Sequence, residues 1–330
     1  MLQHRKPLFV ALAALLVLPL QAQEPGKDTP KDKPAPATRA LVSRITPEAT
    51  LAMSGTQGLA TGDGSLWVSL KETSTLLRVD PKSNKTTQTV TLAAPPCSGM
   101  ASGFGAIWVP LCGGKGIARI DVKTHTTVAT ITKGIAVVTL PIVSAAGSLW
   151  AITDDQGTVA RIDPTTNAVV AEVYTGAGAS GMVAAQDALW VTNSQKNQLI
   201  KVAAYTNLIT ESIAVGKTPT SVAFGEGSAW TLNAGDATVS RVDPKTNKVI
   251  ETIKVGMPVV GGQIAVGEGS VWISAPGVPL ARIDPRTNQV AQIFAGVGGG
   301  LVFVAEGAIW IGADAKTIWR LDPKRIEATR

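Results

Sequence analysis

An all-β fold, a seven-bladed propeller of four-stranded antiparallel blades, is predicted by three observations. One large aromatic residue recurs at a nearly constant interval. A second, turn-forming motif follows it each time. Between the two, apolar and polar residues alternate with a period of two, the signature of strands rather than helices. Seven of the eight tryptophans, Trp67, Trp108, Trp150, Trp190, Trp230, Trp272 and Trp310, recur at intervals of 41, 42, 40, 40, 42 and 38 residues. Each follows a short turn such as GDGSLW, GFGAIW or GEGSVW. About ten residues on come LLRVDPKSNK, IARIDVKTHT, VARIDPTTNA, LIKVAAYTNL, VSRVDPKTNK, LARIDPRTNQ and IWRLDPKR.

Residues 219–254 show how one repeat becomes one blade. Residues 221–224 form a short apolar strand, and Gly225-Glu226-Gly227 turns it into a second strand over 228–232. A third strand, 238–242, ends in Asp243-Pro244-Lys245-Thr246-Asn247, and a fourth follows over 249–255. In that hairpin the proline presets φ near −65°, the aspartate accepts from turn backbone, and the asparagine tolerates the left-handed conformation. Four strands in about 40 residues make a propeller blade. The repeated tryptophan is read as core, filling the wedge between blades and burying roughly 150–250 Å².

The last repeat runs out at Asp322-Pro323-Lys324-Arg325, with only 326–330 after it. A surplus segment before the first tryptophan aligns without a gap with 207–216, a fourth strand. Residues 45–53 are therefore expected to supply the outer strand of the last blade and so remove an open sheet edge.

The N-terminus reads as a secretion signal. Arg5 and Lys6 precede an apolar run over 8–20, broken only by Pro19 and too short to span a bilayer. Cleavage is placed near Ala22, giving 1–22 as signal peptide. Residues 23–40 are rich in Pro, Lys, Asp and Ala and lack large apolar side chains, so they read as a flexible tether. The propeller is expected over 41–330. No other stretch is long and apolar enough to cross a membrane, and a monomer in the periplasm or outside the cell is expected. The charge of +6 becomes +4 once Arg5 and Lys6 are removed, with 28 Lys and Arg against 24 Asp and Glu. These charges are scattered, which argues against a nucleic-acid partner. Cys97 and Cys112, the two cysteines, are expected to form a disulfide in an exported chain. Cys97 lies in the link into the second blade, and Cys112 lies in that blade's second-to-third-strand loop.

Trp190-Val191-Thr192-Asn193 looks like the signature of the YVTN family of propeller repeats. The wider pattern, Gly-x-Leu-Trp-Val and then Arg-Ile-Asp-Pro-x-Thr-Asn, resembles the propellers grouped with virginiamycin B (streptogramin) lyase, over about 41–330. The resemblance implies the propeller fold. For activity it implies a metal-dependent elimination with a histidine base, further His and Glu at the channel mouth, and blades favouring Trp-Phe-Thr-Glu. This chain departs from that pattern. It has no Trp-Phe-Thr-Glu, and its one histidine beyond the signal, His125, falls in a third-to-fourth-strand hairpin at the outer rim. A base there does not reach a substrate at the channel.

Propeller ligands sit at one mouth of the channel, lined by second-to-third-strand loops and by the links between blades. Those loops here offer Lys71, Glu72, Cys112, Lys115, Asp154, Asp155, Asn193, Lys196, Asn233, Asp236, Asp314 and Lys316. They form a mixed polar rim that suits a small polar ligand or a protein partner, and equally an ordinary solvated surface. Asp154, Asp155 and Asp236 are candidates for Ca²⁺ or Mg²⁺, with Asn193 and Asn233 as further oxygen ligands. No ligand-spacing motif supports them, and no catalytic residue is assigned. Gly298-Gly299-Gly300 leads into a strand rather than a helix N-terminus, so it is no phosphate loop. The expected function is a non-catalytic binding or interaction scaffold for an unidentified ligand or partner. One alternative is a divalent-metal-dependent lyase or hydrolase of the streptogramin-lyase or gluconolactonase-like type. The other is a subunit of a periplasmic redox enzyme, for which the chain has no C-x-x-C-H haem motif.

Overall fold

The computed structural model describes residues 36–113, 116–136 and 141–329. The expected signal, most of the tether and Lys115 lie outside the described residues.

Seven antiparallel sheets follow one another along the chain. Blade five consists of Pro219–Gly225, Ser228–Asn233, Thr238–Asp243 and Lys248–Lys254. Each strand lies within a residue or two of its expected position. Blade one begins with Thr56–Gly62, and blade seven ends its own run at Thr317–Leu321. The outer strand of blade seven is Ala49–Ala52, paired antiparallel from Ala49 opposite Arg320 to Ala52 opposite Thr317. The N-terminal clasp therefore exists, shorter than the 45–53 expected.

Two features depart from the sequence reading. Thr38–Leu41 adds a fifth strand to blade six, parallel to its outer strand Gln289–Ala295. It starts inside the segment read as tether. The tether lacks large apolar side chains, but here the strand gains backbone pairing along an open edge, and Arg39 donates to the Gly256 carbonyl at 3.0 Å. The chain also ends in a helix, Pro323–Ala328, where no helical pattern was expected. Asp322-Pro323 opens this helix, with the Asp322 side chain accepting from the Lys324 backbone N–H. The same dipeptide opens hairpins elsewhere. Here no Thr-Asn comes after it to close the turn, and proline at N1 suits a helix start. Ile326 is fully buried under the clasp, packed with Val42, Ile45 and Phe294.

The core lies between blades rather than within them. All seven repeated tryptophans are buried to 0% exposure. Each anchors one of seven apolar clusters shared with the next blade. Trp230 packs with Val271 and Ile273 of blade six, and Trp310 packs with Leu66 and Val68 of blade one, across the closing seam. Every indole N–H donates to the carbonyl five residues earlier, from Trp67 to Gly62 through Trp310 to Ala305. That bond allows a polar atom to be buried at no net loss. The structural role of these tryptophans is thus visible in both packing and hydrogen bonding.

A second repeated contact latches blade to blade. Opposite each tryptophan, on the third strand, stands a basic residue: Arg78, Arg119, Arg161, Lys201, Arg241, Arg282 or Arg320. Five of them stack their cation on the tryptophan ring, with Lys201 and Arg241 at 4.8 Å from its centroid. In four of these, Arg119, Arg161, Lys201 and Arg241, the head group then reaches the next blade's hairpin. Arg241 donates to Pro285 O at 2.7 Å and Asn288 Oδ1 at 2.8 Å. Arg119 and Lys201 repeat this on Pro164 with Asn167, and on Pro244 with Asn247. The hairpin asparagines hold φ between 55° and 59°. The Asp-Pro-x-Thr-Asn motif is therefore both a turn and the receiving half of a latch.

Candidate functional site

In this topology the second-to-third loops and the inter-blade links share one end of every blade. The first-to-second turns and the third-to-fourth hairpins share the other. The disulfide lies at the first end: Cys97 and Cys112 are bridged with Cα atoms 5.1 Å apart. Backbone bonds from Cys97 N to Pro110 O and from Cys112 N to Pro95 O frame it at 3.1 and 2.8 Å. His125 lies in the hairpin between Gly116–Asp121 and Thr127–Ile131, with its ring 6.1 Å from that of Trp67. It holds φ at 57°, taking the place the asparagines occupy in other blades.

At the mouth, a concavity of 710 Å³ opens where blades six, seven and one meet. Its wall includes Thr56, Gln57 and Glu72 from blade one, Gln263 and Pro276 from blade six, and Asp314 and Thr317 from blade seven. Its floor is the link through residues 298–300, whose φ values are 97°, 98° and 90°. Only glycine passes there: a Cβ on Gly298 would strike the Ala313 carbonyl, and one on Gly299 would strike that of Ala275. A space of 650 Å³ along the channel adjoins it, lined by first strands of blades three to seven and by Met100, just ahead of the first strand of blade two.

Of the expected rim residues, the structure brings Glu72 and Asp314 to this concavity. Asp154 lines a separate hollow with Thr153 and Glu172. Lys71, Asp155, Lys196, Asp236 and Lys316 are exposed on their loops. Asn193 and Asn233 are buried at 0%. Asn193 donates to the carbonyls of Thr175, Gly176 and Ala177 and accepts from Lys196 N, so it braces the link beside it. Asn233 donates to Thr238 and Ser240 hydroxyls. The loop carboxylates are likewise engaged by their surroundings. Asp236 accepts from Lys217 N at 2.9 Å and from the Thr238 hydroxyl at 2.7 Å. Asp314 accepts from Lys316 N, which with the Thr317 side chain holds its carboxyl below the usual carboxylate range. For Asp154 burial works upward, but the N–H of Thr158 and its neighbours bring the net shift down. Among the described residues no three His, Cys, Asp or Glu side chains gather as a metal-binding group.

Gln57, Gln263 and the glycine floor were not singled out as site residues by sequence. The glycine triplet was visible, but which carbonyls it passes depends on blades six and seven meeting. The two glutamines lie on first strands whose repeat position carries no common residue.

No protein-family profile matches the chain, and no curated protein does. Solved structures share its architecture. U3-55K is 10% identical with a TM-score of 0.68, over 84% of this chain and 100% of that one. A streptogramin B lyase is 18% identical with a TM-score of 0.67, over 82% and 94%. BamB from Moraxella catarrhalis is 11% identical with a TM-score of 0.62, over 84% and 98%. At these identities the likeness is one of fold.

Proposed function

We propose that this chain is an exported binding scaffold that holds a polar ligand or a protein partner at the mouth formed by blades six, seven and one. The observation that carries the reading is the 710 Å³ concavity with its glycine floor and converging Gln57, Glu72, Gln263 and Asp314. A pocket of this size with a few placed polar groups is what small-ligand or peptide recognition requires. The carboxylates at the loops act as acceptors for their own backbone, which suits a preorganised surface better than a proton-transfer site. Export is supported by the leader over 1–22 and by the Cys97–Cys112 disulfide.

Native mass spectrometry of protein purified from its own host's exported fraction tests this. The expected result is a mature chain starting near residue 23, carrying the disulfide and a ligand or partner. Gln57→Ala with Gln263→Ala should lose that passenger. Retention that ignores the two glutamines sinks the site assignment. A bound mass removed by EDTA would replace the scaffold reading with a metal-dependent lyase or hydrolase, with Asp154 and Asp155 as the first residues to vary.

A further inference from the structure

The hairpin of blade four departs from its copies. Where blade five reads Asp243-Pro244-Lys245-Thr246-Asn247-Lys248, blade four reads Ala203-Ala204-Tyr205-Thr206-Asn207-Leu208. The tyrosine and the leucine stand where blade five has lysines, and they are 64% and 62% exposed. Ile209, next in the chain, is exposed as well. The turn itself does not call for these side chains, since Asn207 keeps the left-handed φ of 59° and still accepts from Arg161. Adjacent exposed apolar side chains on a folded domain mark a contact surface. The strand that follows, Leu208–Ala214, is the outer edge of its sheet. Blade five guards the same edge with Lys248 and Lys254, and blade one with Lys85. Lysines on an edge strand discourage pairing with another chain. The strand of blade four has none, and its one charge is Glu211. Blade six shows what an outer edge accepts: Thr38–Leu41, an extended segment with one base, lies along Gln289–Ala295.

Charge narrows the occupant. Along their hairpins, first turns and outer strands, blades three and four carry Asp163, Glu172, Asp187 and Glu211. Their bases there, Arg161 and Lys201, are stacked on Trp150 and Trp190 and bonded to Asn207 and Asn247. This flank is therefore net negative in a chain of net charge +6. An anionic membrane is disfavoured by that sign. A second copy is disfavoured too, because antiparallel self-pairing of Leu208–Ala214 would set Glu211 opposite Glu211 at its centre. We infer that the outer edge of blade four docks an extended segment of a partner protein that alternates apolar with basic residues, added to Leu208–Ala214 as a fifth strand. Its apolar side chains cover Tyr205, Leu208 and Ile209, its bases meet Glu211 and the neighbouring carboxylates, and backbone pairing supplies the rest. This surface lies on the flank of the ring and goes beyond the binding role of the mouth.

The probe is a fluorescent nonapeptide of alternating valine and lysine, titrated with the mature protein and followed by anisotropy. Binding at one site per chain is expected. The counterpart with glutamate in place of lysine should bind at least about fivefold more weakly, the yield of a few partly exposed charge contacts. Proline at the central valine should weaken binding by about tenfold, since it removes a ladder N–H. Tyr205→Lys with Leu208→Lys restores the residues that blade five carries. It should lower affinity at least about tenfold through lost apolar burial and added like charge. The melting temperature should hold, because both side chains are exposed. Ile250→Lys, at an exposed site on the outer strand of blade five, should leave binding unchanged. Absent peptide binding overturns the inference. So does binding that survives the double substitution, that Ile250→Lys weakens equally, or that ignores the charge of the peptide. A dimer abolished by the double substitution would assign the edge to a second copy, and capture on phosphatidylcholine vesicles abolished by it would assign the edge to lipid. Either result overturns the partner assignment.

Discussion

The joint between blades five and six and the joint that closes the ring start from the same residues and end differently. At the first, Arg241 stacks on Trp230, takes Ser228 Oγ at 2.9 Å, and reaches Pro285 and Asn288 of the next hairpin. At the second, Arg320 stacks on Trp310 and turns to Glu48 at 3.1 Å, away from the hairpin of blade one. Asn84 Oδ1 and Arg320 Nε are left buried without a protein partner. A hollow lined by Asp80, Pro81, Lys82, Glu306 and Arg320 lies between them. The repeat therefore supplies its own joints from blade two through blade six, while Arg78 of blade one pairs with Asp63 of its own blade and the seam has to be closed by other means. There the work passes to the N-terminal clasp and to the cluster around Trp310. The joint between blades six and seven makes the same point. Blade seven has no hairpin to receive Arg282, and Glu327 of the terminal helix takes its head group at 2.7 Å.

Removing residues 36–53 is expected to break the comparison outright. It strips Val42, Ile45, Leu51 and Met53 from buried sites. At roughly 1.5–3 kcal/mol per side chain this approaches the whole stability of a domain. Cooperative thermal unfolding should be lost, and a chain that still melts in one sharp transition would show that the clasp is dispensable. Next in size are the two latches. Arg241→Ala should cost about 2–3 kcal/mol, because it abandons several charge-assisted bonds. Arg320→Ala should cost about 1 kcal/mol, as it gives up one partly exposed ion pair and no hairpin bonds. Urea denaturation of both variants reads the difference, and equal costs would remove the distinction between joints.

A smaller effect sharpens the comparison. The arginine Nε meets a serine at the start of the second strand in blades three, five and six: Ser148, Ser228 and Ser270. Blades two and seven carry Ala106 and Ala308 there, and Arg119 Nε and Arg320 Nε lack partners. Ala106→Ser and Ala308→Ser should each stabilise by about 0.5–1.5 kcal/mol. Ala188→Ser should do less, since Lys201 has no Nε to satisfy.

The smallest effect is on acid stability. Backbone N–H groups hold the hairpin carboxylates below their ordinary range: chiefly Thr124 for Asp121, Thr165 for Asp163 and Lys245 for Asp243. A depressed folded pKa contributes stability that is present above about pH 4 and lost as pH falls through the folded value. Melting temperature should therefore drop below that pH, and less steeply in Asp243→Asn. Blade four has Ala203-Ala204 at this turn. Ala203→Asp should steepen the drop, and an unchanged slope would dismiss the hairpin origin.

Much of the fold was legible because it repeats. Tryptophan spacing and Asp-Pro-x-Thr-Asn turns are local signals, and seven copies make each one redundant. The surplus segment before Trp67 announced the clasp because a ring of seven needs a last outer strand. Thr38–Leu41 was not legible: its pairing is through backbone, which any residue but proline can supply. Nor was the helix at Pro323–Ala328. Asp-Pro begins either a turn or a helix, and the buried seat that Ile326 finds beside Val42, Ile45 and Phe294 decides between them. Asn193 and Asn233 read as rim residues because they end their second strands at the mouth. Whether such a side chain faces solvent or neighbouring backbone is set by the path of the adjoining link.

By itself, then, the sequence determined the number of blades, the residue in each wedge, the hairpin chemistry and the closing strand, all carried by local periodicity. Tertiary structure alone decided which loop residues converge on one concavity, where latches find partners, and what the chain ends pack against. Those outcomes depend on contacts between segments some forty residues apart or at opposite ends of the chain, and no local pattern encodes them.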